Sequence, residues 1–222
     1  MNRTEQSGIE KYPFLSPHKV SLREILFPAC IALVASTITY FLWRLDSKIT
    51  GENRLIENCQ VSLLGLASLI HFIKSRGILD SPLAKICERV LGLLCLSLIV
   101  REVDINKLGD SSIWPGIERA IRVIVVAAWL PLAASVYRNL PLLWNDKARI
   151  LMSSCAWLTG AGVIFYMLSF FFDKSLVPIS ASPSLLCEQL LQLTATIFYF
   201  SGALHSCGYS SEGESLGITS VR

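Results

Sequence analysis

Seven residues of this chain combine the chemistry of a charged, coordinating centre with a spacing that could assemble one: Glu57, Gln60, Arg101, Glu102, Asp104, Glu188 and Gln192. Carboxylates and amide oxygens are hard donors, suited to a proton or to cations such as magnesium, calcium or manganese. Glu57 and Gln60 are spaced i, i+3, and Glu188 and Gln192 i, i+4, so on helices each pair shares a face. Glu102 and Asp104 are two apart and cannot share one. Either one of them points to solvent or the helix unwinds there.

The elements that must position these groups are apolar. Of 222 residues, 52% are hydrophobic and 17% charged, and the mean hydropathy is +0.52. A soluble domain carries about 25% charged residues, and long apolar runs recur here, so the expected solvent is a lipid bilayer. The formal net charge of +3 comes without a basic patch interleaved with aromatics, which excludes nucleic acid as an expected partner. The fold class read from this pattern is all-α, a polytopic transmembrane helix bundle.

Six spans are expected: Ile25 to Leu42, Ile56 to Ile73, Leu83 to Val100, Ala120 to Tyr137, Ile150 to Phe172 and Leu185 to Leu204. They form one domain over residues 25–205, between a polar cytoplasmic lead-in, 1–24, and a flexible polar tail, 206–222. The lead-in lacks the basic start, short apolar core and small-residue cleavage site of a signal peptide. Pro28 is expected in the first turn of span one, where proline costs least. Pro131 predicts a kink in span four, and Trp114-Pro115-Gly116 reads as a turn before it. Thr159-Gly160-Ala161-Gly162 predicts close helix contact in span five. Short connections predict a bundle of sequential antiparallel neighbours. With the N-terminus inside, twelve lysines and arginines lie on the inner side and eight on the outer, which favours both termini in the cytoplasm.

Helix parity then places the chemistry. Glu57 starts the second span, Arg101, Glu102 and Asp104 end the third, Asp173 ends the fifth and Glu188 starts the sixth, so all stand at one membrane face, with Gln60, Gln189 and Gln192 beside them. An ionisable group costs roughly 2.5–3.5 kcal/mol at the centre of a span, and such groups usually face the bundle interior or a water-filled cavity. Three readings stay open. The centre is a structural network in which Arg101 neutralises its neighbours, a cation or proton site, or a catalytic site with one carboxylate held protonated. No nucleophile with a paired base is visible, so no catalytic residue is assigned.

Seven cysteines lie mostly in apolar runs without CxxC spacing and read as small apolar residues; Cys59 and Cys187 lie nearest the acidic level. His71 and His205 fall near the opposite ends of their spans, where an interfacial histidine needs no ligand. No cofactor is expected and no metal is assigned: GxGxxG, P-loop, HExxH and GxSxG patterns are absent. A partial echo between Glu57–Gln60 and Glu188–Gln192 is too irregular in spacing to define a repeat.

Glu57-Asn58-Cys59-Gln60 opening one span, Arg101-Glu102-Val103-Asp104 closing the next and Glu188-Gln189 opening the last resemble a group of small, uncharacterised bacterial multi-pass inner-membrane proteins. The resemblance covers roughly Glu57 to Asp104 and the final span. It implies a bacterial inner-membrane location and no substrate. The expected partners are the lipid bilayer, a small solute or cation bound at the acidic cluster, and a membrane protein partner. The functional alternatives are solute, cation or proton handling, a structural or assembly subunit of a membrane complex, and a membrane-embedded enzyme acting on a lipid or envelope precursor.

Overall fold

The computed structural model describes residues 20–46, 55–77, 82–103, 105, 113–174, 176, 178 and 180–205. Within them the protein is all-α: α1 Leu22–Leu45, α2 Leu55–Gly77, α3 Pro82–Glu102, α4 Trp114–Arg138, α5 Leu140–Asn145, α6 Lys147–Leu151, α7 Ser154–Asp173 and α8 Ala181–Leu204. The tail after residue 205, nearly all of the lead-in, and Asp104 lie outside the described residues.

Five of the six expected spans are single helices, with their ends moved by local chemistry. The Trp114-Pro115-Gly116 stretch is the first turn of α4, not a turn before it. Proline near a helix start gives up an N–H that would have no partner there. Pro28 sits further into α1 than expected, because the helix begins at Leu22 with Ser21 N–H donating to Glu24 Oε2 at 3.2 Å. α4 remains helical through Pro131. The fifth span is interrupted. α6 ends at Leu151, and Ser153 restarts the chain as the cap of α7, its hydroxyl accepting from Ala156 N at 3.2 Å. Much of the preceding loop is the short helices α5 and α6.

Helix α8 is the hub. It packs against α7, α2 and α1, while α3 lies on α2, and α4 on α3. The expected chain of sequential neighbours holds for α2–α3, α3–α4 and α7–α8, but α1 packs chiefly on α8. The reason is steric and chemical together. α8 carries small residues on several sides, Ala195, Ser201, Gly202 and Ala203 all buried, so three neighbours approach its backbone closely. At Gly162 of α7 an added Cβ would stand 3.1 Å from Ala195 O and 3.1 Å from the Tyr199 ring; at Gly202 of α8 it would stand 3.0 Å from Thr159 Oγ1. The expected close contact is therefore real at Gly162. Gly160 faces open space.

Burial is inverted relative to a water-soluble bundle. Gln60, His71, Glu88, Ser169, Gln192 and Thr196 are almost inaccessible, whereas Phe27, Leu33, Val126, Leu130, Ile164 and Met167 face outward. Leu64, Ala67, Cys95, Tyr166, Ala195 and Tyr199 fill the apolar interior between the polar ends. Four helices, α1, α2, α4 and α7, are long and apolar enough to cross a membrane. α3 and α8 are as long but carry polar residues inward, among them Glu88 on α3 and Gln192 on α8.

Candidate functional site

The ends of α3 and α7 meet the starts of α2 and α8, and several of the polar side chains expected at that level touch in pairs. Gln60 of α2 donates its Nε2 to the Gln189 carbonyl at 3.1 Å and to Gln189 Oε1 at 3.2 Å. On α8, Gln192 Nε2 donates to Glu188 Oε1 at 3.1 Å. Glu188 is half-buried and lies within electrostatic range of Asp173, Glu102 and Arg101. One polar centre thus draws on α2, α3, α7 and α8.

Arg101 turns toward α7. Its guanidinium stands 3.8 Å from Asp173 Oδ2 and lies over the Tyr166 ring, 4.9 Å from the centroid. Asp173 also receives Lys174 Nζ at 3.0 Å. Glu102 accepts the hydroxyl of Tyr166. α3 stops at Glu102, with Val103 N–H closing back onto Ile99 O at 2.9 Å, so the backbone leaves the helix where two carboxylates spaced by two could not share a face. Glu57 is buried in the first turn of α2. Asp104 lies outside the described residues.

Two features give this centre binding chemistry. Among the described residues, Arg101 and Lys174 flank Asp173, and Glu188 lies within electrostatic range of Asp173, Glu102 and Arg101. Gln60 and Gln192, 1% and 2% exposed, each hold a buried Oε1 with no hydrogen-bond partner. The backbone Gln189 O can only accept, which orients the Gln60 amide, and an ionised Glu188 carboxylate orients that of Gln192. A buried carbonyl oxygen without a donor costs about 1–3 kcal/mol, so each of these two oxygens suits a proton donor or a cation. Among the described residues no three His, Cys, Asp or Glu side chains converge as a ligand set for a metal ion, so any cation here would rest largely on amide oxygens.

Three groups escaped the sequence reading. Tyr166 lies two helical turns before Asp173 and hence on its face, a spacing that could have announced it. Glu118, buried near the start of α4, pairs with Arg122 at 2.5 Å; it was hidden by starting that helix six residues late. His71, expected as an interfacial histidine, is instead fully buried, its Nδ1 2.5 Å from Glu88 Oε2. The parity that gathers the carboxylates also brings the end of α2 beside the start of α3, so this pair was legible by the same rule. His205 does not join it; its Nδ1–H donates to Ser201 O at 2.9 Å. Cys59 is exposed and Cys187 half-buried, both as free thiols.

Comparison with protein-family models, curated proteins and solved structures gives no match to this chain.

Proposed function

We propose that the protein is an integral membrane protein of six spans, α1, α2, α3, α4, α7 and α8, whose centre at Glu188 takes up a single positive charge, a proton or a small cation. The carrying observation is the pair of buried oxygens of Gln60 and Gln192 that have no hydrogen-bond partner among the described residues, on helices that bring Glu188, Glu102, Asp173 and Arg101 to one level. The outward apolar and inward polar side chains support the bilayer as solvent. In that setting α3 and α8 cross the membrane shielded by their neighbours, which is why they tolerate more polar residues than α1, α4 or α7. The positive-inside bias supports an extracytoplasmic position for the centre, and the resemblance to small bacterial multi-pass proteins supports an inner-membrane location.

The test is thermal unfolding of the protein in lipid nanodiscs across pH and across sodium, potassium, magnesium, calcium and manganese. A bound ligand at one hundred times its dissociation constant stabilises by about 2.7 kcal/mol. We expect one of these variables to stabilise the protein in a saturable way and Glu188→Gln to remove the effect. A flat response to every ion and to pH would refute the reading.

A second reading, an assembly subunit, rests on α4. This helix is joined to the bundle through α3, and only 6% of its apolar stretch is buried. Val123, Val126 and Leu130 line a shallow apolar strip on it between Arg119 and Arg122 at one end and open surface at the other. A monodisperse monomer under gentle solubilisation would count against this role.

A further inference from the structure

The connection from α4 to α7 is more apolar than a water-facing loop. It runs through α5 and α6, and along it Leu140, Leu142, Trp144, Leu151 and Met152 are 49–67% exposed. No residue of α5 is buried. The two short helices pack chiefly on each other and on the helices they join, so the bundle does not cover this apolar surface. The break at Ser153 is the cause. An unbroken fifth span would have carried Ile150, Leu151 and Met152 along α7. Instead the extended backbone of Ser153, capping α7, leaves them in α6 and the turn after it.

Helix order puts this segment at the membrane face opposite the Glu188 centre, where α4 ends and α7 begins. There Ser154 Oγ donates to Glu24 Oε2 at 2.5 Å, which brings the start of α1 to the same level. The exposed charges of the segment are positive. Arg138 closes α4 and Lys147 opens α6, and both are exposed, whereas Asp146 between α5 and α6 is half-buried. Lys147 Nζ lies 3.9 Å from the centroid of the Trp144 ring, a cation held on an indole face. Arg23 at the start of α1 and Arg76 at the end of α2 are exposed at this face as well. An apolar strip edged by cations, with a tryptophan within it, has the chemistry of a segment lying in the headgroup layer. Tryptophan seats at the boundary between water and acyl chains, and lysine and arginine reach the phosphates.

We propose that α5 and α6 form an interfacial platform that binds anionic phospholipid headgroups, with Leu140, Leu142, Trp144 and Leu151 at the acyl boundary and Arg138 and Lys147 on the phosphates. The occupant is the surface of the protein's own bilayer. This rests on the spans proposed for the chain and on nothing at Glu188. The apolar strip alone would accept neutral and anionic lipid equally. Selection of negative charge comes from the two exposed cations, beside which the segment's one carboxylate, Asp146, is half-buried.

The experiment is amide hydrogen exchange, read by mass spectrometry, on the full-length protein in two kinds of nanodisc: phosphatidylcholine alone, and phosphatidylcholine mixed with phosphatidylglycerol. We expect exchange over residues 140–152 to slow about tenfold in the anionic discs, and added salt to reverse the effect. Arg138→Gln combined with Lys147→Gln should abolish it while the spans stay protected. The salt dependence of the wild type decides the matter if that double variant does not fold. Inorganic phosphate added to the phosphatidylcholine discs should not reproduce the protection; if it does, the site takes free phosphate and the lipid proposal is overturned. Protected spans with equal exchange of the segment in both discs would overturn the proposal and leave the membrane reading standing, since contact with neutral lipid or with a second chain does not depend on lipid charge. Free exchange along α1, α4 and α7 in both discs would overturn the membrane reading and this inference with it.

Discussion

Tyr166 of α7 donates its hydroxyl to Oε1 of Glu102, the last residue of α3. This bond ties α7 to the end of a helix that packs mainly on α2 and α4. The same ring lies under the Arg101 guanidinium, so one side chain serves both members of a neighbouring acid–base pair.

Removal of that hydroxyl should matter more than removal of the arginine. A hydrogen bond to a charged group contributes about 1.5–3 kcal/mol, and Tyr166 is 7% exposed. Arg101 and Asp173 stand 3.8 Å apart at 43% and 31% exposure, and an exposed ion pair contributes about 0–1 kcal/mol. Tyr166→Phe should therefore lower unfolding stability by about 2 kcal/mol, and Arg101→Gln by under about 1 kcal/mol. Urea or thermal unfolding in one detergent ranks them. The opposite ranking would restore Arg101 as the anchor of the centre.

The two buried glutamines should separate structure from binding. Gln60→Leu removes two hydrogen bonds that cross from α2 to α8 and should destabilise the protein by about 1–2 kcal/mol. Gln192→Leu removes one bond within α8 together with an oxygen that has no partner. Those effects oppose each other, so the ligand-free protein should change by less than about 1 kcal/mol. Any stabilisation by pH or cation should weaken in both variants. A Gln192→Leu protein that responds to ligand as fully as the wild type would show that its oxygen is not part of the centre.

The level at which the carboxylates meet was legible because membrane helices alternate in direction, so helix order alone assigns each end to a face. That rule put Arg101, Glu102, Asp173 and Glu188 together before any geometry was known. It could not choose Asp173 over Glu57 or Glu188 as the partner of Arg101, because rotation about a helix axis depends on packing. Packing here is set by Gly162 and Gly202, which draw α7 onto α8 and bring Tyr166 toward α3. His71, which pairs with Glu88, was misjudged for a different reason. Polar residues near a span end normally reach water, but α2 and α3 close over this pair. Apolarity also understated α3 and α8, since helices shielded by others can carry polar side chains inward.

Lys74 should be a large contributor at the opposite end. Its ammonium satisfies two carbonyls at the C-terminal end of α8, where unbonded carbonyls and the helix dipole favour a cation. Lys74→Met keeps the aliphatic stem and loses both bonds, and should cost about 2 kcal/mol. Amide hydrogen exchange should report the loss locally, with faster exchange in the last turns of α8 and little change near Glu188. Uniform acceleration along the whole helix would mean that the cap is not a local fastening.

The α7–α8 contact offers a control within one sequence motif. A side chain at Gly162 would meet the Ala195 carbonyl and the Tyr199 ring, both at 3.1 Å, and neither can withdraw, since one is backbone and the other is buried in the core. Gly162→Leu should force the helices apart and destabilise by about 1–3 kcal/mol or more. Two residues earlier, Gly160 has no heavy atom within 4 Å of an added Cβ. Gly160→Leu should leave the packing unchanged and stabilise by up to about 1 kcal/mol, because leucine favours the helix over glycine. The pair differs in position by two residues and in sign of effect. Unfolding measurements on both variants in the same lipid would check it, and equal destabilisation would mean that Gly160 meets a neighbour, such as a second copy of the chain, that the isolated bundle lacks.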